Sequence, residues 1–165
     1  MKKILVINSI AIVLIFLSSC TKKLPDYGTT KTVKMLNGWW VNIQAGGSNL
    51  TPTPTFFTTY NTVSNTKDSM WLDDLKNGYV FKCKVAINYD SASFHVSTSP
   101  NSYYDGTVNT PATVNIINGK ILLKAGHSRA GNPADSIYMQ AVFSGDPTVY
   151  TIAGTARTGF DEDDY

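Results

Sequence analysis

The sequence predicts an all-β protein, an antiparallel up-and-down barrel of about eight strands preceded by a cleaved signal helix. Three observations carry this. From Met35 onward the chain is rich in Thr, Asn, Tyr, Val and Ile, and turn residues recur about every ten positions. Between Tyr79 and Tyr89 every odd position (Tyr79, Phe81, Cys83, Val85, Ile87, Tyr89) is apolar or aromatic, whereas Lys82, Lys84 and Asn88 are polar. A period of two this regular excludes a helix, and no segment after the signal sustains a helical period.

The first element is the signal. Lys2 and Lys3 precede an apolar run from Ile4 to Leu17, interrupted only by Asn8 and Ser9, that ends in Leu17-Ser18-Ser19-Cys20. A basic start, an apolar stretch shorter than the roughly 20 residues of a permanent span, and small residues before a cut mark residues 1–19 as cleaved. Leu-Ser-Ser-Cys resembles the lipobox of bacterial lipoprotein precursors, which implies that Cys20 is S-diacylglycerylated and then N-acylated. At about 0.8 kcal/mol per buried methylene, two or three acyl chains hold a protein on a membrane. Thr21 rather than an aspartate follows Cys20, and no acidic run comes next. The expected address is therefore the outer membrane, facing the periplasm or the cell surface. Residues 20–34, polar and holding Pro25 and Gly28, read as a lipidated flexible tether.

The chain has 165 residues with 14 basic and 12 acidic side chains. Loss of Lys2 and Lys3 with the signal balances the charges, which excludes an electrostatic case for nucleic acid. The remaining length suits one domain, assigned to residues 35–160. Asp161, Glu162, Asp163 and Asp164 sit in the last five residues and read as a solvated acidic tail, 161–165. With Cys20 taken by lipid, Cys83 has no disulfide partner in the chain. It lies on the apolar face of its strand and reads as a small buried hydrophobe.

Strands are expected at Leu36–Gln44, at Phe56–Val63 beside Pro52 and Pro54, at Ser69–Asp73, at Tyr79–Tyr89, and at Ser93–Thr98 with His95 outward. Thr113–Ile117 and Lys120–Ala125 flank Asn118-Gly119, the pair that best suits a two-residue hairpin because both residues reach positive φ. Ser136–Phe143 and Thr148–Arg157 complete the set. Closure into a barrel removes the exposed edges of such a meander, and a sandwich is the alternative.

Leu36-Asn37-Gly38-Trp39-Trp40-Val41 begins the first strand, and its Gly-x-Trp resembles the opening of lipocalins and the wider calycin group. That likeness implies a barrel cupping a lipid or small apolar ligand, with Trp40 plugging the closed end and Arg157 from the last strand stacked across it. Trp71 and Phe81 are added as aromatic candidates for lining or plugging the barrel. If Trp40 points inward, alternation puts Asn42 and Gln44 in the lumen and turns Trp39, Val41 and Ile43 outward, which requires a bulge or a partly polar lumen. The signal, Ser69-Met70-Trp71-Leu72-Asp73-Asp74, the Phe81–Val85 strand and Gly154-Thr155-Ala156-Arg157-Thr158-Gly159-Phe160 together resemble bacterial lipid-binding putative hydrolases. This resemblance covers about Met35 to Asp164.

Hydrolysis would need an activated serine. Gly126-His127-Ser128-Arg129-Ala130-Gly131 resembles a nucleophile elbow with one residue too many, and adjacent His127 and Ser128 point opposite ways if extended. They are the weak catalytic candidates, against a polar hairpin loop. Asp73 and Asp74 are consecutive and so fall on opposite faces of a strand. No transition-metal ligand set is visible and no cofactor is implied. Asp68-Ser69-Met70, Asp90-Ser91-Ala92 and Asp135-Ser136-Ile137 fit an Asp-Ser-aliphatic O-glycosylation pattern. The leading expectation is a membrane-anchored lipoprotein binding a lipid or other apolar ligand inside its barrel. The alternatives are a lipid or ester hydrolase and a non-catalytic accessory lipoprotein with envelope protein partners.

Overall fold

The computed structural model describes residues 29–165; the expected signal, Cys20 and the tether as far as Gly28 lie outside the described residues. The strands are β1 (Asn37–Ala45), β2 (Ser48–Asn49), β3 (Thr55–Asn61), β4 (Ser69–Asp73), β5 (Lys82–Asn88), β6 (Ser93–Pro100), β7 (Thr113–His127), β8 (Pro133–Phe143) and β9 (Asp146–Ala156). Neighbouring strands pair antiparallel, and β1 pairs with β9 from Trp39 opposite Ala156 to Ala45 opposite Tyr150, which closes the ring. β2 is a short flap folded back on β1, so eight strands form the barrel. Single 3₁₀ turns at Val33–Met35 and Asp161–Asp163 precede and follow it.

Closure depends on a close approach of β1 to β9. Gly154 faces Val41, and a Cβ there would collide with the Trp40 carbonyl and the Val41 backbone. The two-residue hairpin in which both φ values are positive is Gly46-Gly47 (+56° and +82°), and not Asn118-Gly119. At the latter only Asn118 reaches the left-handed region (φ +52°), and the chain runs on as one strand from Thr113 to His127. The register with β8 moves from Ile117 opposite Gln140 to Lys120 opposite Tyr138, which places a bulge where the sequence predicts a turn. Phe94 fixes the site, since its ring lies where a Cβ of Gly119 would sit.

Alternation sends Trp39, Val41 and Ile43 of β1 inward, with exposures of 1%, 0% and 2%. They meet Phe57, Met70, Leu72, Phe81, Cys83, Val85, Phe94, Ile116, Ile121, Ile137, Met139 and Ile152, all in one apolar core. Each large side chain so buried contributes about 1.5–3 kcal/mol relative to exposure. The inward Trp40 expected from the motif is thus corrected: Trp40 is half-buried on the outer face, because β1 keeps its apolar residues on one side without a bulge. The expected Tyr79–Tyr89 strand begins only at Lys82. Val80 takes φ +56° there, which breaks the pairing and leaves Tyr79 in the preceding loop. Asp74 holds that loop by accepting the backbone N–H groups of Lys76 (2.9 Å), Gly78 (3.2 Å) and Phe81 (3.0 Å). Its burial raises the carboxyl pKa against the lowering effect of those bonds.

Candidate functional site

The lumen comes first because a ligand cup is expected there. At the end where β1 begins, Met35 and Trp39 close it around one hydroxyl. Thr59 Oγ1 accepts from Trp39 Nε1 at 2.9 Å and from Asn37 N at 3.1 Å, and donates to the Met35 carbonyl at 2.7 Å. At the opposite end Tyr79 stacks on Phe143 with centroids 4.7 Å apart and leans on Tyr150 at 4.5 Å. Phe81 touches both Phe143 (5.3 Å) and Phe57 (5.7 Å), which carries the aromatic packing into the core. A side chain lining an open cup would keep surface against a water-sized sphere. Val41, Phe57, Met70, Leu72, Phe81, Cys83, Val85, Met139 and Ile152 have none. The interior is filled, which corrects the expectation of an apolar cup; the inward residues are too large to leave one.

Phe81 is accordingly a core residue rather than the wall of a cavity. Burial first, with the charges of Asp73 and Asp74 adding to it, pushes the Cys83 thiol up to about 12. It packs as the small hydrophobe expected.

Trp71 sits half-buried on the outer face, beside a polar cluster that the sequence does not reveal. Asp73, at the end of β4, accepts hydrogen bonds from the hydroxyls of Tyr60 and Tyr103, each at 2.8 Å. Lys82 Nζ lies 3.9 Å from the same carboxylate and 5.3 Å from the Trp71 ring. Burial raises the Tyr60 hydroxyl pKa, and the bond to Asp73 adds to the effect. Asp74 points the other way, as adjacent strand residues must.

Ser128 and His127 are not brought together. Ser128 is buried in the β7–β8 turn, where its Oγ accepts from Asn132 N at 3.2 Å, while its backbone N–H donates to the Asn132 carbonyl at 2.8 Å. His127 is exposed at the end of β7. This is the hairpin-loop reading of the segment, and the group beside the Ser128 hydroxyl is the Asp163 carboxylate rather than His127. Of the three Asp-Ser serines, Ser91 is exposed, Ser136 is half-buried and Ser69 is buried.

The most elaborate polar arrangement among the described residues is the outer corner where the segment after β9 folds against the start of β1. Trp40 lies against Phe56 (centroids 4.9 Å apart, planes at 55°) and Tyr165 (5.5 Å, 66°). Arg157, just past β9, binds Asp164 through both ends of its fork: Nε donates to Oδ1 at 2.7 Å and Nη2 to Oδ2. Trp40 Nε1 donates to the same Oδ1 at 3.3 Å. Arg157 and Trp40 therefore meet through a shared carboxylate on the outside of the barrel, and not with the guanidinium stacked across the indole at a closed end.

That carboxylate belongs to the segment expected to be a solvated tail, and the structure corrects this. Asp163 is 2% exposed and accepts from Ala130 N at 2.7 Å and Thr158 Oγ1 at 2.6 Å. Arg129 donates to the Asp164 carbonyl at 2.6 Å. The tail docks because the β7–β8 turn and the residues after β9 supply donors that its acids lack in sequence. Beside the corner lies a groove of about 440 Å³ lined by Gly38, Phe56, Thr58, Tyr60, Arg157 and Thr158. Among the other surface hollows, one of about 430 Å³ lies at the β7 bulge, between Phe94, His95, Lys120 and Tyr138.

A closed antiparallel barrel with a filled interior, its polar sites on the outside, is the class of protein these features define. The family described as lipid-binding putative hydrolase matches residues 24–161, and the chain belongs to that family. A search of curated proteins finds no match.

Proposed function

We propose that this protein is a membrane-anchored lipoprotein whose barrel binds lipid on its outer surface, at the end where β1 begins. The family match over residues 24–161 carries the lipid assignment, and the filled lumen moves the site outward. The end in question is where the chain enters the barrel, so a lipid on Cys20 keeps it close to the bilayer. Fully extended, residues 20–28 reach about 30 Å. Val33, Val63, Leu122, Leu123 and Phe160 are exposed there, and so offer apolar surface to a membrane.

Two measurements test this. Replacing Cys20→Ser in the producing cell should shift the protein out of the outer-membrane fraction; unchanged fractionation would refute the anchor. Native mass spectrometry of the full chain in neutral detergent should find phospholipid retained by the protein. A chain that retains none, and gains none when mixed with phospholipid, would refute lipid binding.

A further inference from the structure

We propose that the Arg157–Trp40 corner is a binding site for the phosphate of a lipid headgroup, and that Asp164 occupies it as a pseudo-ligand which the phosphate displaces. The inference rests on the lipid-binding reading and adds to it a site, a ligand chemistry and a gate.

The geometry is that of an anion receptor. The Arg157 fork presents Nε and Nη2 to two oxygens of one group, and the Trp40 indole N–H converges on one of them. Two oxygens of a phosphate have the spacing of a carboxylate, and a guanidinium binds either in the same bidentate way. Phe56 and Tyr165 wall the indole. The groove of about 440 Å³ opens directly against Arg157, with Phe56 and Tyr60 along it, and gives the glycerol and acyl portion of a lipid a path away from the charge.

The occupant is built to leave. Asp164 lies just past the 3₁₀ turn at Asp161–Asp163, and the Arg157 side chain is 43% exposed, so water and salt screen the pair. Asp163 is held separately by Ala130 and Thr158. The tail can therefore release Asp164 while staying attached through Asp163. Its other ties are the Arg129 bond to the Asp164 carbonyl and the Arg129 guanidinium 5.2 Å above the Tyr165 ring. Once Asp164 leaves, Arg129 is a second cation within reach of the same anion.

The test is a titration of the full chain in maltoside detergent, read at the Trp40 indole N–H resonance. The probes are monomeric dihexanoyl phosphatidylglycerol, glycerol phosphate and inorganic phosphate. Dihexanoyl phosphatidylglycerol should shift that resonance and bind more tightly than either headless phosphate. Asp164→Asn, which keeps size and leaves Asp163 in place, should tighten binding by about fivefold. Arg157→Gln in the Asp164→Asn background should weaken it by at least about tenfold, with thermal unfolding unchanged. Trp40→Phe, read by calorimetry, should weaken it by a smaller factor.

If dihexanoyl phosphatidylglycerol binds but neither Asp164→Asn nor Arg157→Gln alters its affinity, the site is elsewhere and this inference falls while lipid binding stands. If glycerol phosphate or inorganic phosphate binds as tightly as the phospholipid, the corner serves free phosphate and the lipid assignment of this site falls. If no variant binds any phospholipid, both the inference and the lipid-binding reading fall.

Discussion

Trp39 and Trp40 are adjacent in the chain and opposite in circumstance. Trp39 is sealed in the barrel, and its indole N–H is satisfied by the neutral hydroxyl of Thr59. Trp40 stands on the outer face, and its N–H reaches a carboxylate from the far end of the chain. The inner region is apolar and close-packed. The outer corner is charged, partly wet and held by contacts that exchange with solvent. The inner face of the strand thus carries the packing and the outer face the polar contacts, and perturbations should separate them.

The largest separation is expected in chemical access to Cys83. Its thiol is fully buried and its pKa is pushed up to about 12. Iodoacetamide should label it only through global opening, more than about 10³-fold slower than in the denatured chain. Rapid labelling of the native protein would break the contrast at once. Next, Trp39→Ala should lose about 3–5 kcal/mol in urea unfolding, against about 1 kcal/mol for Trp40→Ala. Comparable losses would mean that the outer corner is structural. Thr59→Val should cost about 1–3 kcal/mol because the Trp39 and Asn37 N–H groups lose their acceptor, whereas Thr59→Ser should restore most of it.

The smallest effect concerns acid. Hydrogen bonds from Thr158 and then Ala130 hold the Asp163 carboxyl below the usual value of 3.8, and the Arg157 guanidinium does the same for Asp164. The unfolded state therefore takes up protons first as pH falls. Tail docking is fully stabilising above about pH 3.8 and is lost as pH drops through the lower folded values. The Trp40 indole N–H resonance should move in that window while that of Trp39 stays fixed; joint movement would show that the two regions are coupled.

The barrel was legible because period-two alternation reports a strand with one buried face, as in Cys83, Val85 and their neighbours. The same alternation in β1 groups Trp39 with Val41 and Ile43, and the structure follows it rather than the Gly-x-Trp motif. A motif fixes spacing, but burial fixes the face. Asn118-Gly119 misled for a related reason: the pair permits a hairpin, yet only tertiary packing under Phe94 decides that the strand continues. Of the corner at Arg157, the resemblance named Arg157 and Trp40 but not the acids that join them. Its acids read as solvent-facing because their donors lie in the β7–β8 turn and beyond β9, and only closure of the ring assembles them.

That ring is closed by the first long strand and the last, with Trp39 opposite Ala156. During synthesis β1 emerges early and must wait for nearly the whole chain before its partner appears. Until then one edge of β1 lacks its partner, and an unpaired edge invites aggregation. Such distant pairing also places the fold among the slow folders, on the millisecond to second scale. Closure of the ring also brings Trp40 of β1 beside Arg157 and Asp164, so a chain caught before closure has neither a sealed core nor an assembled outer corner.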